Sequence, residues 1–286
     1  ETTVERVEGD EVYVRVDSGG ELGSRAGVTT RDVDLDLDLV GDADRENLRL
    51  AAEHGIDIVA ASFVRDSEDI YEIADLLEAF DADDTSIVAK IERSAAVENI
   101  GEIVEAADCV MVARGDLGVE CPLEDVPVIQ KRIITRCVDA GIPVITATEM
   151  LDSMIGSRRP TRAEASDVAN AVFDGTDAVM LSGETAIGEY PIETVETMAT
   201  IIDRIEGSEE YAETRDRRVP AAESGIRTDA VARSARYLAQ DVNATAIVCL
   251  SESGYTARKA AKFRPSVPVI ATTPNDRVRR QLALTW

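Results

Sequence analysis

Charged and hydroxyl side chains follow four consecutive apolar segments of this chain, at the point where each segment ends. The segments are SIVAKIE (86–92), VMVARGD (110–116), ITATE (145–149) and VMLSGE (179–184). In the first segment, Lys90 and Glu92 share one face of a strand, because residues i and i+2 point the same way, and Ile87, Ala89 and Ile91 share the other. We expect the apolar face to meet outer helices, so the sequence predicts that Lys90 and Glu92 face a functional site.

Glu92 and Asp116 offer hard carboxylate oxygens at the ends of neighbouring strands, which suit Mg²⁺ completed by water and substrate oxygens. With the fixed positive charge of Lys90, they would stabilise negative charge on a phosphoryl group or an enolate oxygen. Gly115 lets backbone N–H groups approach an anion closely, ahead of a helix start. The same residues also fit a purely structural interpretation, in which Lys90 and Glu92 form a plain ion pair and Asp116 caps a helix.

These polar residues follow predicted strands that alternate with predicted helices. The strands are 56–63, Ser86–Ile91, Cys109–Ala113, Pro143–Ala147 and Asp177–Leu181. The helices are Asp42–His54, Asp69–Phe80, Ala96–Ala106, Val126–Ala140, Arg162–Phe173 and Ile192–Ile205. Such alternation indicates an α/β fold with a parallel sheet and outer helices, which fits both a barrel and an open sheet. Polar residues at four strand ends favour a (β/α)8 barrel, because that fold builds its active site there.

The two flanks of this region differ from it. Val12, Val14 and Val16 alternate with polar residues and predict a strand, and a short extended linker is predicted at 33–40. Residues 206–228 are polar with little periodicity, which is typical of a linker. A second α/β unit follows: helix Asp229–Gln240, strand Thr245–Leu250, helix Thr256–Phe263, strand Val267–Ala271 and helix Asn275–Leu284.

The composition limits the classes of partner. Fifty-six acidic residues against 30 basic ones give a net charge of −26, which repels nucleic acid and anionic membranes. Dispersed acids with only four lysines fit a protein that works in high salt, and an acidic partner-binding surface is the weaker alternative. No apolar run approaches the ~20 residues of a membrane span, and the amino-terminal residues have no secretory signal. The four cysteines show no metal-binding spacing and are predicted to be reduced core thiols of a cytoplasmic protein.

Five motifs resemble the pyruvate kinase family, in order and across nearly the whole chain. They are GGELGSRAGV (19–28), KIE (90–92), VMVARGDLGVE (110–120), ATEMLDSM (147–154) and RPTRAEASDVANAVFDGTDAVMLSGETAIGEYP (159–191). The resemblance implies transfer of a phosphoryl group from phosphoenolpyruvate to ADP, giving pyruvate and ATP, with Mg²⁺ or Mn²⁺ and K⁺, by a homotetramer. A Mg²⁺-dependent pyruvate or enolate lyase or aldolase is the alternative enzyme, against which the long RPTRAE motif argues. An inactive ligand-binding remnant is the non-enzymatic alternative.

The resemblance also assigns roles to residues of the site. Lys90 corresponds to the lysine that neutralises the phosphoryl group and the enolate, and Glu92 and Asp116 correspond to the metal ligands. Ser182 and Glu184 belong to the network that protonates the enolate. The substrate-binding residues are Ala113, Arg114, Gly115 and Asp116, together with Thr148 beside the path of the proton. The sequence departs from the family at Glu149 and Ile187, where glutamine and lysine are common, and neither position is one of the ligands.

Two peripheral features have both a functional and a plain interpretation. In SESGYT (251–256), hydroxyl groups and Gly254 precede a helix and form an anion site. The family binds sugar-phosphate or nucleotide effectors in this region, whereas an ordinary strand–helix loop would look the same. The residues concerned are Ser251, Ser253, Gly254 and Thr256. Arg162 matches a segment at the interface between barrels, and a solvated arginine at a helix start is equally consistent.

The resemblance predicts how the chain divides. Residues 1–30 would end a β lid domain, 31–206 would form strands 4–8 of the barrel, 207–228 a linker and 229–286 a shortened carboxyl-terminal α/β domain. The first three strands of the family's barrel carry a phosphate-binding arginine and the K⁺ ligands, and they have no counterpart here. We therefore expect the 286 residues alone to be inactive, because phosphoryl transfer depends on electrostatic stabilisation from several sides.

Overall fold

The computed structural model describes residues 2–21 and 38–286. Most of the GGELGSRAGV motif and of the linker predicted at 33–40 therefore lies outside the described residues. The described residues fall into two compact units, a hairpin near the amino terminus and the remainder of the chain from residue 38. The two units are considered separately below.

The amino-terminal unit is an antiparallel hairpin of β1 (Thr2–Glu8) and β2 (Glu11–Val16). Gly9 adopts a φ of 61° in the turn, a conformation that costs glycine little because it has no Cβ. The strand predicted from the alternating valines is confirmed as β2. Its partner β1 was not predicted, although Val4 pairs with Val14 and thereby aligns the two strands.

The second unit is built on a five-stranded parallel sheet in the order β3-β4-β5-β6-β7. Its strands are β3 (Ile58–Ala61), β4 (Ser86–Ile91), β5 (Cys109–Ala113), β6 (Val144–Ala147) and β7 (Ala178–Val179). Each strand pairs with the next one along the chain, so all carboxyl ends meet at one edge of the sheet. All five predicted strands and their parallel arrangement are confirmed.

Helices precede and follow the strands. They are α1 (Asp42–Glu53), α2 (Ser67–Ala79), α3 (Ser94–Glu98), α4 (Ile100–Ala106), α5 (Arg114–Glu120), α6 (Val126–Ala140), α7 (Arg162–Asp174), α8 (Gly183–Ala186), α9 (Pro191–Glu206) and α10 (Glu209–Arg217). Their ends show local causes. The α7 helix begins with a capping box in which Thr161 and Glu164 exchange hydrogen bonds, and it ends at Gly175, whose φ of 99° suits a residue without Cβ.

The two faces of the sheet pack into separate apolar clusters. Ile87, Ala89 and Ile91 pack with the outer helices, as the alternation in SIVAKIE predicts. Val88 belongs to a second cluster with residues of the other face: Cys109, Met111, Ile145 and Ala147. The inner face is therefore apolar along the strands and becomes polar only at their carboxyl ends. That change positions the candidate site.

Three predictions about helices need correction. The helix predicted at 96–106 is divided into α3 and α4 at Asn99, whose side chain donates to the carbonyl of Arg65 at 3.0 Å. The linker predicted at 206–228 contains the helix α10. That helix buries only Tyr211, which packs on Phe173 with ring centroids 6.2 Å apart, so its apolar periodicity is weak. Third, the residues after β5 form the short helix α5 immediately, starting at Arg114.

The carboxyl-terminal α/β segment of this unit contains α11 (Arg227–Asp241), β8 (Ile247–Leu250), α12 (Tyr255–Lys262), β9 (Val269–Thr272) and α13 (Asp276–Gln281). β8 and β9 are parallel, and every predicted element is present. The segment contacts the amino ends of the strands of the five-stranded sheet, opposite the candidate site. Arg280 Nε lies 2.6 Å from Asp57 and Arg277 Nη1 2.6 Å from Asp84.

The cysteines are free thiols, as predicted, and three of them are buried: Cys109, Cys137 and Cys249. Burial raises the pKa of Cys109 to about 12, so this thiol is not a ready nucleophile. Within residues 2–21 and 38–286, no helix has the length and apolar character needed to cross a bilayer.

Candidate active site

Lys90 and Glu92 form an ion pair at the carboxyl end of β4. Lys90 Nζ lies 2.5 Å from Glu92 Oε1 and donates a hydrogen bond to Ser62 Oγ at 2.8 Å. The other carboxylate oxygen, Oε2, accepts the N–H of Phe63 at 2.8 Å. The Glu92 side chain is 2% exposed and the Lys90 side chain 24%. The ion pair of the structural interpretation is thus present, yet its lysine still reaches solvent, where an anion can meet it.

The loop after β3 supports this pair with a strained residue. Phe63 has a φ of 60°, in the left-handed region that bulky residues rarely adopt. In this conformation its N–H donates to Glu92, and the guanidinium of Arg93 lies 5.4 Å from the centre of its ring. Strain of this kind persists only where surrounding contacts impose it. The buried carboxylate is therefore held from two neighbouring strands.

Asp116 lies in the first turn of α5, beyond the neighbouring strand β5. Ile91 of β4 pairs with Val112 of β5. Glu92 and the start of α5 therefore follow the ends of two adjacent strands. Asp116 is exposed and makes no hydrogen bond or ion pair among the residues that the structure describes. It does not cap α5, since the helix has no side-chain cap. The structure thus contradicts the cap in the structural interpretation.

The carboxylates at these strand ends fit a magnesium ion. Among residues 2–21 and 38–286 there is no cluster of three or more His, Cys, Asp or Glu side chains that would form an all-protein metal cage. Mg²⁺ does not require such a cage, because it is commonly held by one or two carboxylates and completed by water and substrate phosphates. Glu92 and Asp116 are a donor set of that kind.

Thr148 connects the ends of β5 and β6. Its hydroxyl accepts the N–H of Gly115 at 2.7 Å and donates to the carbonyl of Ala147 at 2.7 Å. Thr148 has a φ of 66° and the following residue, Glu149, a φ of 54°. Two consecutive left-handed residues, the first of them β-branched, turn the chain sharply at the strand end. The Thr148 hydroxyl at the end of β6 therefore lies next to the N–H of Gly115 in the first turn of α5.

Arg114 points away from the strand-end opening and into the protein. Its guanidinium donates to the carbonyls of Ala147 at 3.2 Å and Thr148 at 2.8 Å, and its Nη1 lies 2.7 Å from a carboxylate oxygen of Asp167 on α7. The Arg114 side chain is only 12% exposed, so its guanidinium is engaged within the protein. The adjacent Ala113 is buried at the start of α5.

Glu184 is a buried carboxylate that joins two loops of the site. Its Oε2 accepts the N–H of Ser182 at 2.7 Å and its Oε1 the N–H of Leu151 at 3.2 Å. Ser182 precedes α8 and is partly exposed, whereas the Glu184 side chain is almost completely covered. The structure therefore brings together the strand-end residues of β6 and β7 through backbone hydrogen bonds.

The other predicted residues lie away from these strand ends. Arg162 is the exposed first residue of α7, and Gly254, with a φ of 79°, precedes α12. Ser253 and Thr256 are exposed and Ser251 is buried at the end of β8. Thr146, which the sequence placed among the polar strand-end residues, is buried instead on the outer face. Its hydroxyl donates to Thr176 Oγ1 at 3.0 Å.

Three residues of the site had no role in the sequence interpretation. Ser62 receives the hydrogen bond of Lys90, Asp167 forms the ion pair with Arg114, and Gln130 Oε1 lies 3.4 Å from Arg114 Nη1. Ser62 follows an apolar strand, which is the signal that identified the other strand ends. Asp167 and Gln130 lie on the outer helices, and only the folded chain brings them to Arg114.

A parallel α/β sheet with a lysine, two carboxylates and a strained threonine at adjacent carboxyl ends is the arrangement of a barrel-type α/β protein, which builds its active site at that edge. Comparison with known proteins agrees. The family model for the barrel domain of pyruvate kinase matches residues 1–195, and the model for its alpha/beta domain matches residues 229–286. The chain belongs to the pyruvate kinase family, and the α/β barrel-type fold class is confirmed.

Bacterial relatives support this membership. The pyruvate kinase of Geobacillus stearothermophilus is 51% identical over 276 residues, which is 96% of this chain and 47% of the relative. The pyruvate kinase of Clostridium acetobutylicum is 45% identical over 284 residues, covering 99% of this chain and 60% of the relative. That of Clostridium perfringens is 46% identical over 287 residues, with 100% and 60% coverage. The chain thus spans about half to three fifths of the length of these relatives.

Proposed function

We propose that the protein carrying this chain transfers the phosphoryl group of phosphoenolpyruvate to ADP, giving pyruvate and ATP in glycolysis. One observation carries the proposal beyond family membership: Lys90, Glu92 and Asp116 lie at the ends of adjacent strands, with Lys90 open to solvent. This is the arrangement that phosphoryl transfer needs, because its catalysis consists mainly of positioning and of charge stabilisation. The alternative lyase or aldolase could bind an enolate with the same two carboxylates, and the match of both pyruvate kinase domain models argues against it.

In this proposal Lys90 neutralises the transferring group and the enolate oxygen left behind. The Glu92 carboxylate and the Ser62 hydroxyl hold the ammonium group at the end of β4. Glu92 and Asp116 would hold the Mg²⁺ or Mn²⁺ ion, which supplies a Lewis acid for the phosphoryl and enolate oxygens. K⁺ is proposed as a second cation, without an assignment of its ligands.

Ala113, Arg114 and Gly115 bind the substrate carboxylate through their backbone in this proposal. The N–H of Gly115 is already directed at the Thr148 hydroxyl, so a bound carboxylate would take over this donor. The released hydroxyl would then stand beside the enolate carbon that must receive a proton. Asp116 borders the same position from the first turn of α5.

Ser182 and Glu184 would complete the proton network. Glu184 accepts two backbone N–H groups, which fix its carboxylate without using its charge in an ion pair. A carboxylate held in this way can pass a proton through water or through the Ser182 hydroxyl to Thr148.

Several further proposals rest on the resemblance. They are a homotetramer with Arg162 at an interface, a sugar-phosphate or nucleotide effector at Ser251, Ser253, Gly254 and Thr256, a cytoplasmic location, and the division 1–30, 31–206 and 229–286, in which the connection 207–228 contains the helix α10. The net charge of −26 with few lysines supports adaptation to high salt.

The activity is tested with the purified natural protein in molar KCl, by measuring pyruvate and ATP formed from phosphoenolpyruvate and ADP. We expect equal amounts of both products, dependence on Mg²⁺ or Mn²⁺, and loss of turnover with a chelator. A lyase or aldolase would instead release pyruvate from a substrate without a phosphoryl group and would form no ATP. Absence of pyruvate above the background without enzyme would reject the proposed activity.

A further inference from the structure

The turn that carries Thr148 requires an external restraint. Thr148 and Glu149 both occupy the left-handed region, with φ values of 66° and 54°. A β-branched residue in this region is a conformational outlier, and outliers at candidate active sites persist only where neighbours impose them. Peptide carbonyls on either side of Thr148 are the groups through which such a restraint can act.

The guanidinium of Arg114 provides that restraint. Its Nε donates to the carbonyl of Ala147 at 3.2 Å and its Nη2 to the carbonyl of Thr148 at 2.8 Å, so the planar group contacts the peptide bonds on both sides of Thr148. The guanidinium has a fixed fork geometry, which sets the direction of both carbonyls at once. This restraint fixes the position of the Thr148 hydroxyl, which accepts the N–H of Gly115.

Asp167 on α7 fixes the guanidinium from the opposite side. Its carboxylate oxygens lie 2.8 Å and 2.7 Å from Arg114 Nη1. The remaining partners of the guanidinium within residues 2–21 and 38–286 are neutral: the two carbonyls, Gln130 Oε1 at 3.4 Å and Met150 Sδ at 2.8 Å. Asp167 is therefore the anionic partner of a cation whose side chain is only 12% exposed.

We propose that Asp167 is a positioning residue, which acts through Arg114 to hold the Thr148 hydroxyl where the enolate is protonated. Asp167 itself touches neither substrate nor metal. The proposal rests on the proposed function, because it concerns the same reaction. It assigns a role in turnover to a residue on an outer helix, beyond the strand-end residues themselves.

A double-mutant cycle tests whether Asp167 acts on Thr148 through Arg114. The four proteins are the natural protein, Thr148→Ala, Asp167→Asn and the double variant, each assayed for kcat and for KM of phosphoenolpyruvate. Misplacement of a reacting group by ~1 Å costs up to ~10² in rate, so we expect Asp167→Asn to lower kcat about tenfold with KM changed less than about threefold. Because Asp167 acts through Thr148, the double variant should match Thr148→Ala within about twofold.

A second readout isolates the protonation step. Exchange of the pyruvate methyl protons in D₂O, followed by proton NMR, reports enolate protonation without phosphoryl transfer. We expect Asp167→Asn to slow this exchange by the same factor as kcat. Asp167→Ala, which leaves Arg114 without any partner at this position, should slow it further than the isosteric asparagine.

Lys131→Ala is the matched control. This substitution also breaks an ion pair to α7, that of Lys131 on α6 with Asp174, and Lys131 makes no contact with Arg114. It should lower thermal stability while kcat and the exchange rate stay within about twofold. Equal effects of Asp167→Asn and Lys131→Ala on turnover, or independent effects of Asp167 and Thr148 that multiply in the double variant, would overturn the positioning role. An inactive natural protein would instead reject the proposed function.

Discussion

Two lysine–carboxylate pairs in this chain have almost the same length and very different surroundings. Lys90 and Glu92 lie 2.5 Å apart at the candidate site, and Lys262 and Asp229 lie 2.6 Å apart between α12 and α11. The Lys262 side chain is 1% exposed and Asp229 is completely covered, whereas 24% of the Lys90 side chain is exposed. The ammonium group of Lys90 is therefore accessible to a ligand, whereas both charges of the Lys262–Asp229 pair are buried.

The partners of each pair explain the difference. Asp229 also accepts the N–H of Glu223 at 3.1 Å and has Lys259 at 3.5 Å, so two lysines share one buried carboxylate. A buried pair is poor evidence of stabilisation in itself, but breaking it leaves an uncompensated charge. At the site, Lys90 contacts Glu92 and Ser62 alone among the residues that the structure describes, and 24% of its side chain is exposed. The proposed role of Lys90 requires this exposed side, because a substrate anion must reach the ammonium group.

The largest expected effect is that of Lys90→Met on turnover. Loss of a charge that acts mainly in the transition state lowers kcat by ~10²–10³ or more, while KM for phosphoenolpyruvate changes much less. Steady-state kinetics on the natural protein measure both quantities, and Lys131→Met serves as a control at an exposed lysine. A Lys90→Met protein with nearly normal kcat would refute the role of Lys90.

Lys262→Met should act on stability rather than on turnover. Removal of one partner of a buried pair costs ~3–5 kcal/mol of the free energy of unfolding, and the remaining Lys259 should keep the loss near the lower value. Urea unfolding measures this loss, with Arg217→Met as the control, because it breaks the pair with Glu213, in which both side chains are exposed. We expect kcat per folded molecule to stay within about twofold, since Lys262 is remote from the strand ends. A large fall in kcat would remove the contrast between the two pairs.

The pH dependence of stability should reveal Asp229. Burial acts to raise its pKa, but hydrogen bonds from Lys262 and from the N–H of Glu223, with the charges of Lys259 and Lys262, hold the pKa below its ordinary value of 3.8. A carboxyl group whose pKa is lower in the folded than in the unfolded protein stabilises the fold. This stabilisation is fully present at a pH above the unfolded pKa and is lost as the pH falls through the folded pKa. We expect the free energy of unfolding to decrease below about pH 4.

Asp229→Asn provides the comparison for this pH dependence, because its amide does not titrate. Urea unfolding at pH 5 and at pH 3 should show a smaller decrease for Asp229→Asn than for the natural protein. The same decrease in both proteins would assign the acid sensitivity to other carboxylates, such as Glu164. Burial acts to raise the pKa of Glu164, but hydrogen bonds from Ser153 and Thr161 hold it below its ordinary value.

The smallest effect is expected from salt. The net charge of −26 produces repulsion that is screened within ~3 Å at 1 M salt and reaches ~30 Å at 0.01 M. Thermal unfolding between 0.05 and 3 M KCl should show a midpoint that rises by about 5 °C or more. The midpoint of Lys262→Met should rise with salt to a similar extent, because salt screens the buried Lys262–Asp229 pair only weakly. A flat salt profile would contradict adaptation to high salt.

The strands and most helices could be predicted because their periodicity reports burial on one face. Ile87, Ala89 and Ile91 pack against the helices as their spacing indicates. The α10 helix was missed for the converse reason: it buries only Tyr211, and contacts such as that of Arg218 with the carbonyl of Phe173 hold this region in place. The break at Asn99 likewise depends on the carbonyl of Arg65, which is remote in sequence.

For the site, the sequence by itself determined which residue types follow each strand, because strand alternation and strand ends are local properties of the chain. Lys90, Glu92, Asp116 and Thr148 could be named in this way. Only the tertiary structure decided which of these side chains remain exposed to solvent and which are held by other residues. The exposed Asp116, the open side of Lys90 and the restraint of Thr148 by Arg114 and Asp167 depend on contacts between residues up to 53 positions apart. Side-chain orientation follows from packing between elements, and no local pattern encodes it.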